Sequence, residues 1–188
     1  MNKSLALFIL KLMGWRIEGT LPGNIRKVIV VMAPHTSNWD FLMGWIGFSA
    51  LGLRSKYLIK KEAFFFPFGY LIKKVGGIPV NRGKNSVALQ VGELFKRSEK
   101  LIITVTPEGT RSLNHKWKKG FYLIAQNANV PLVLGFLDYK RKCGGLGPLI
   151  NISGNYEEDL QVIESFYKDK TAKHPKNFNL SPENLSKR

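Results

Sequence analysis

His35 and Asp40 are the residues of this chain whose types and spacing best fit acid–base chemistry. A neutral imidazole has one donor and one acceptor nitrogen, so a carboxylate that accepts from the donor leaves the other nitrogen free to take a proton. Asp40 is near enough along the chain to do this. The alternative is that His35 is an ordinary loop histidine and that Asp40 is a first-turn carboxylate favoured by the helix dipole.

The elements on either side of this pair explain how it would be positioned. Residues 28–32 form a continuous apolar run, which is typical of a strand covered on both faces, and Pro34 ends it. Ser37 or Asn38 is a good N-cap for an apolar helix that begins near Trp39, so we interpret Ser37 as a cap and not as a nucleophile. His35 is then expected in the crevice beyond the carboxyl end of a strand, where open α/β sheets bind ligands.

Two arginines follow other predicted strands. Residues 76–82 read as a turn and a short strand that ends at Arg82, and the strand at 101–105 leads into a polar loop that contains Arg111. Parallel or mixed packing would bring both loops beside His35. Two guanidinium groups at a strand-end crevice would form a phosphate clamp, because each is a planar fork of donors that keeps its charge. Taken singly, each arginine reads as a solvated surface residue.

Strands alternating with helices predict a single α/β domain over residues 1–188, with a mixed, mostly parallel sheet flanked by helices. The other predicted strands are 16–19, 55–60, 130–137 and a short edge strand at 149–152. The other predicted helices are 68–75, 84–98, 120–127 and 156–170, and residues 171–188 are expected to form a loose polar tail.

The formal net charge of +16 is the unusual feature of the composition. Such a field attracts nucleic acid, anionic lipid headgroups, acidic carrier proteins or phosphorylated substrates. The lone cysteine, Cys143, excludes an internal disulfide, suits a reducing compartment, and is expected to be a small loop residue. His35, His115 and His174 lack the spacing of metal ligands, so no metal site is predicted.

The first 15 residues have a basic start and an apolar middle. We expect a short amphipathic helix with Leu5, Phe8, Ile9, Leu12 and Met13 exposed or half exposed, lying in a membrane surface, and the alternative is an ordinary core helix. No apolar run is long enough for a membrane span.

Four sequence blocks, in this order, resemble the motifs of the glycerolipid acyltransferases, the family of the bacterial 1-acylglycerol-3-phosphate acyltransferases. The blocks are His35 and Asp40 with four residues between them, GIPVNR at 77–82, PEGTRS at 107–112 and VPLV at 130–133. The resemblance covers roughly residues 28–137, well over half of the chain. The order and spacing of the four blocks make it specific.

The resemblance implies direct transfer of a fatty acyl group from an acyl thioester to the hydroxyl of a lysophospholipid such as 1-acylglycerol 3-phosphate, in phospholipid biosynthesis. It implies that His35 is the general base, that Asp40 orients it, and that Arg82 contacts the acceptor phosphate. The remaining implied acceptor-site residues are Glu108, Gly109, Thr110 and Arg111. No cofactor is implied, because the thioester of coenzyme A or of acyl carrier protein is a co-substrate.

Pro34 stands where many members of the family carry asparagine, and Thr106 where an aromatic residue is common. These departures leave a second acceptor open, another lysolipid such as a lyso-aminolipid. The aromatic run at 64–70 fits core filling, the wall of an acyl-chain groove or a membrane-facing patch.

The expected location is the cytoplasmic face of the membrane, as a peripheral or monotopic protein. The expected partners are anionic lipid headgroups, the lysolipid and the acyl carrier, with no nucleic acid. The basic residues that would dock headgroups or an acidic carrier are Lys60, Lys61, Lys73, Lys74, Lys118 and Lys119, and a solvated basic face is their alternative. The competing class is a non-catalytic basic protein that binds membranes or nucleic acid, which would spread its cations along a groove.

Overall fold

The computed structural model describes residues 1–81 and 87–181. The strands are β1 (Arg16–Glu18), β2 (Lys27–Ala33), β3 (Lys56–Lys60), β4 (Gly77–Val80), β5 (Leu101–Val105), β6 (Leu132–Asp138) and β7 (Cys143–Ile150). The helices are α1 (Lys3–Leu12), α2 (Asn38–Ala50), α3 (Phe68–Lys74), α4 (Val87–Arg97), α5 (Gly120–Ala128) and α6 (Tyr156–Tyr167).

In this part of the chain the strands form one seven-stranded sheet in the order β1-β7-β6-β2-β5-β3-β4. All neighbouring strands are parallel except β6 and β7, which are antiparallel. The predicted fold class, one domain with a mixed, mostly parallel sheet flanked by helices, is confirmed.

The central strand β2 lies between β5 and β6 and is parallel to both. Its apolar side chains alternate between two cores. Ile29 and Val31 pack with α4, α5 and α6 on one face, and Val30 and Met32 pack with Phe48 of α2 on the other. Burial on both faces explains the continuous apolar run of this strand. The carboxyl ends of β2, β5 and β6 consequently meet at one edge of the sheet.

A gap opens at this same edge between β5 and β3. The two strands pair Lys56 with Ile103 and Tyr57 with Thr104, and β3 then continues along β4 as far as the pair Lys60 and Val80. The carboxyl ends of β3 and β5 are therefore not hydrogen-bonded to each other, which leaves room between them for a pocket.

β7 differs from the prediction. It spans Cys143–Ile150 and lies between β6 and β1, whereas the sequence predicted a short edge strand at 149–152. The first part of this strand was missed from the sequence because its glycines do not contribute to the apolar alternation by which a strand is recognised. At Gly145 a Cβ would lie 1.8 Å from the carbonyl oxygen of Glu18 on β1, so this close approach requires glycine. The prediction that Cys143 is a loop residue is also wrong, since it is buried in this strand.

Residues 171–181 are not the loose tail that was predicted. Ala172, Phe178 and Leu180 are buried in the core. The Trp117 indole N–H donates to the Asn179 carbonyl at 3.2 Å, and the Ser181 N–H donates to Glu164 at 2.9 Å. The apolar residues of this segment have no regular period, so no sequence pattern predicts their burial. Residues 182–188 lie outside the described residues.

The N-terminal helix α1 packs against α2 through Ala6 and Leu10, which are buried. Leu5, Phe8 and Leu12 are exposed, as predicted. Within the described residues, no helix is long and apolar enough to cross a bilayer.

Candidate active site

His35 lies just beyond the carboxyl end of β2, where the sequence predicts it. Its backbone N–H donates to both oxygens of the Glu108 carboxyl group, at 3.1 and 2.9 Å. Glu108 follows β5, so these hydrogen bonds tie the loops after two neighbouring parallel strands together. The imidazole side chain is 19% exposed, which leaves it reachable from solvent.

Asp40 is held by several donors in the first turn of α2. Its Oδ2 accepts from the backbone N–H groups of Thr36 at 2.7 Å and Ser37 at 2.8 Å, and the Ser37 hydroxyl caps the helix by accepting from Trp39 N. Its Oδ1 accepts from the Tyr139 hydroxyl at 2.5 Å. The helix cap predicted at Ser37 is thus part of the arrangement that fixes the carboxylate.

The structure brings His35 and Asp40 together, with 3.6 Å between Nδ1 and Oδ2. This distance is too long for a hydrogen bond, so the predicted bond from the imidazole to the carboxylate is not formed in this geometry. Burial lowers the pKa of His35, the charge of Asp40 raises it, and the charge of Arg111 lowers it, and the net direction is below 6.5. The imidazole is therefore largely neutral at pH 7, as a general base must be.

Glu108 is a buried carboxyl group, only 3% exposed. Burial raises the pKa of Glu108 to about 8, the hydrogen bond from His35 N acts in the opposite direction, and the charge of Asp40 raises the pKa further. The family resemblance implies that this residue lines the acceptor site, whereas its carboxyl group is directed to the backbone of His35. Glu108 therefore holds the loop that carries His35, the residues between β2 and α2, through the His35 backbone.

The loop after β5 is closed by its own hydrogen bonds. Gly109 N donates to Thr106 O at 3.2 Å, and Lys118 N donates to Pro107 O at 2.7 Å. Gly109 has φ +68°, a left-handed conformation that favours glycine. A Cβ there would lie 2.7 Å from Cδ of Lys118, so the lysine side chain lies directly over this glycine.

Thr110 and Arg111 are exposed in the same loop. The Thr110 hydroxyl accepts from Ser112 N at 3.2 Å, so it stabilises its own loop. The charge of Arg111 lowers the pKa of His35, so the guanidinium interacts electrostatically with the imidazole. The other arginine of the predicted clamp, Arg82, lies outside the described residues.

A pocket of about 490 Å³ opens beside His35 in the gap between β3 and β5. His35, Asp40, Tyr57 and Lys118 contribute the charged or titratable groups among its described lining residues. Its apolar lining comes from both sides of the sheet, and includes Phe41, Phe48, Leu58, Val80, Phe121 and Ile124. None of the aromatic residues at 64–70 is among the residues that line this pocket.

Sequence reasoning missed two residues at this site. Tyr139 follows β6 and reaches Asp40 from 99 positions away in the chain. The order of strand ends could have indicated it, because β6 is a parallel neighbour of β2. Lys118 was predicted only as part of a basic surface, and no pattern in the sequence places it over Gly109.

A family model described as "Acyltransferase" matches residues 16–133, more than half of the chain. The chain belongs to the acyltransferase family. The matched range contains His35, Asp40 and the loop after β5, and ends within β6. A comparison of this acyltransferase with curated proteins gives no match.

The fold of this acyltransferase is also that of a solved structure. It is similar to the crystal structure of the 1-acyl-sn-glycerophosphate (LPA) acyltransferase PlsC from Thermotoga maritima, with a TM-score of 0.61 and 17% sequence identity. The match covers 91% of this chain and 80% of the PlsC chain. At this identity the likeness shows the fold alone.

Proposed function

We propose that this acyltransferase moves a fatty acyl group from an acyl thioester to the hydroxyl of a lysophospholipid such as 1-acylglycerol 3-phosphate, with His35 as the general base. The observation that carries the proposal is an imidazole with a lowered pKa in the lining of a largely apolar pocket, which Lys118 also lines. Among the residues that the structure describes, no group of three His, Cys, Asp or Glu side chains could hold a metal ion.

The reaction needs a proton acceptor at the attacking hydroxyl. With Nδ1 on the side of Asp40, Nε2 of His35 is the nitrogen that takes the hydroxyl proton. The acceptor oxygen attacks the thioester carbonyl, the carbon–sulfur bond breaks, and the leaving thiolate takes the proton from the imidazolium. Asp40 stabilises the imidazolium while the proton is on it.

Asp40 is itself fixed by donors from Thr36, Ser37 and Tyr139, so it is a preorganised anion. The 3.6 Å distance from Nδ1 would shorten to a hydrogen bond as the imidazole gains positive charge, because hydrogen bonds between charged groups are shorter and stronger. Glu108 positions the histidine through its backbone and does not take part in the proton transfer.

The apolar pocket suits a fatty acyl chain, since Phe41, Phe48, Val80, Phe121 and Ile124 present carbon surface without charge. Arg111 and Lys118 suit the phosphate of the acceptor, and Arg82 is the third proposed phosphate ligand. The proposed donor is the thioester of coenzyme A or of acyl carrier protein.

The proposed location is the cytoplasmic face of the membrane, as a peripheral or monotopic protein. Support comes from the exposed apolar face of α1, which includes Leu5, Phe8 and Leu12, and from the net charge of +16. The corresponding test is membrane association as a function of ionic strength, and association that is indifferent to salt would contradict a role for the charge.

The experiment is an acyl transfer assay with purified protein. Coenzyme A and carrier-protein thioesters are offered with a panel of lysolipids that includes lysophosphatidate and a lyso-aminolipid. Transfer to phosphate-bearing acceptors supports the proposal. Transfer to the phosphate-free acceptor alone would keep the chemistry and remove the phosphate clamp, and transfer to no acceptor by folded protein would contradict the proposed substrates.

A further inference from the structure

A cluster of large apolar side chains is exposed in the connection between β3 and β4. The exposed fractions run from 53% for Phe68 to 94% for Phe66. We call these five exposed side chains the aromatic cluster: Phe65, Phe66, Phe68, Tyr70 and, beside the rings, Leu71. Single exposed apolar residues are ordinary, whereas five within seven positions form a patch that calls for a partner.

The backbone of the segment is built to present these rings. Gly69 N donates to Phe65 O at 2.7 Å and Phe64 N donates to Lys61 O at 3.1 Å, so the chain turns back on itself. A Cβ at Gly69 would lie 2.7 Å from the Phe64 carbonyl oxygen, which shows how closely the turn is packed. The rings of Phe65 and Phe68 contact each other, with 5.3 Å between centroids, while both stay exposed.

Cations surround the aromatic cluster. Residues 56–74 contain five lysines and one acidic residue, Glu62. Lys60, Lys61, Lys73 and Lys74 are all exposed at the two ends of the segment. Lysine is depleted in the cores of protein–protein interfaces, whereas phenylalanine beside lysine is the composition of elements that dip into an anionic lipid surface.

The cluster lies at the edge of the sheet where the pocket opens. Tyr57, Leu58 and Ile59 of β3 line the pocket just before the segment, and Val80 of β4 lines it just after. Because β3 runs in the same direction as β5 and β2, the turn that follows it lies at the same edge as His35. A bilayer in contact with the cluster would therefore face the mouth of the pocket.

We propose that the aromatic cluster is a membrane-docking element, separate from α1, that inserts into the headgroup region of an anionic bilayer and sets the pocket mouth at the lipid surface. The benefit to catalysis rests on the proposed function, since a lysolipid acceptor would then reach His35 directly from the bilayer. The docking itself is tested without any turnover.

The first test is sedimentation of the full chain with vesicles of phosphatidylcholine, alone or with about one third phosphatidylglycerol. The variant Phe65→Ser/Phe66→Ser should lower the partition coefficient about tenfold or more, because each phenyl ring removed from the bilayer forfeits the transfer of a large apolar side chain. The control is Leu89→Ser/Val162→Ser, which removes two exposed apolar side chains, 61% and 58% exposed, from α4 and α6. Equal binding by the two double variants would overturn the proposal.

The second test reports insertion at one position and is independent of α1. A polarity-sensitive fluorophore is attached at Phe66→Cys or, as control, at Leu89→Cys, and the native Cys143 is buried and so protected from labelling. The emission at position 66 should shift to the blue on addition of anionic vesicles, and that at position 89 should not. An unchanged emission at 66 with saturating vesicles would overturn the proposal.

A third arm separates lipid from protein as the partner. Exchanging Lys60, Lys61, Lys73 and Lys74 for glutamate should abolish the preference for phosphatidylglycerol. Retention of that preference would overturn the proposal that this segment docks on an anionic bilayer. A change in oligomeric state of the Phe65→Ser/Phe66→Ser variant, with vesicle binding intact, would assign the cluster to a second copy of the chain instead. Absence of acyl transfer would leave these outcomes unaffected, so the two proposals fail separately.

Discussion

Replacing Glu108 with glutamine should change how stability depends on pH. The carboxyl group is buried against the backbone of His35, and burial raises its pKa from 4.5 to about 8. Between these two values the folded chain keeps a proton that the unfolded chain has released. Because the folded state binds more protons there, its stability falls as the pH rises. Glutamine has the shape of the protonated side chain and does not titrate.

The size of the effect follows from the two pKa values. Between the two pKa values, each pH unit lowers the free energy of unfolding by about 1.4 kcal/mol, and the decrease becomes smaller near the folded pKa of about 8. The wild-type chain should therefore lose about 4 kcal/mol from this group between about pH 5 and pH 9. The variant should not show this loss. The free energy of unfolding of Glu108→Gln, relative to wild type, should therefore rise by about 4 kcal/mol between about pH 5 and pH 9, whatever the difference at about pH 5.

The assay is urea unfolding of the two proteins at several pH values, with the free energy of unfolding extrapolated to water. The exposed carboxylate variant Glu99→Gln is the matched control and should follow the wild-type curve. Titrating groups that do not interact with Glu108 contribute equally to wild type and variant and cancel in the difference. A difference that stays constant within about 0.5 kcal/mol across the range would refute the reasoning, because Glu108 would then already be ionised near pH 5.

Three further changes test the site. Tyr139→Phe removes a hydroxyl that donates to Asp40 at 2.5 Å, so it should lower the free energy of unfolding in urea by about 1.5–3 kcal/mol. It should also lower kcat more than KM, and an unchanged kcat would exclude a role of Tyr139 in positioning Asp40. The pKa of His35 lies below 6.5, so the acidic limb of the pH profile of kcat/KM should also lie below pH 6.5. Because the charge of Asp40 raises this pKa and that of Arg111 lowers it, the limb should move to lower pH in Asp40→Asn and to higher pH in Arg111→Ala. A limb that stays in place in both variants would contradict this electrostatic account. Gly44 lines the pocket, and a side chain added there would enter open space. Gly44→Leu should therefore shorten the pocket and shift selectivity among acyl thioesters toward shorter chains. A chain-length preference equal to that of wild type would place the acyl chain outside this pocket.

The part of the site that the sequence predicted is the part specified by local patterns. The apolar run of β2, the proline after it and the cap at Ser37 are adjacent in the chain, and each has a direct physical consequence for backbone conformation. His35 and Asp40 were therefore placed correctly relative to the strand and the helix. The distance between their side chains depends on how other donors compete for Asp40, which spacing along the chain does not determine.

The contacts that were missed are set by tertiary packing. Tyr139 and Glu108 reach the histidine loop from β6 and β5, and neither is near it in sequence. The glycines of β7 allow close approach to β1 but remove the apolar alternation by which a strand is recognised. Phe178 is buried in the last described segment because the fold offers it a place, and it belongs to no periodic pattern of its own.

The most direct test of the central claim is acyl transfer to lysophosphatidate by His35→Ala beside His115→Ala, an exposed histidine outside the site, with folding of both variants checked by their unfolding curves. The account predicts that kcat falls about 10²–10⁴-fold in His35→Ala and is unchanged in His115→Ala, since a general base contributes a factor of this size. Full activity of a folded His35→Ala variant would contradict the claim that this imidazole takes the proton from the acceptor hydroxyl.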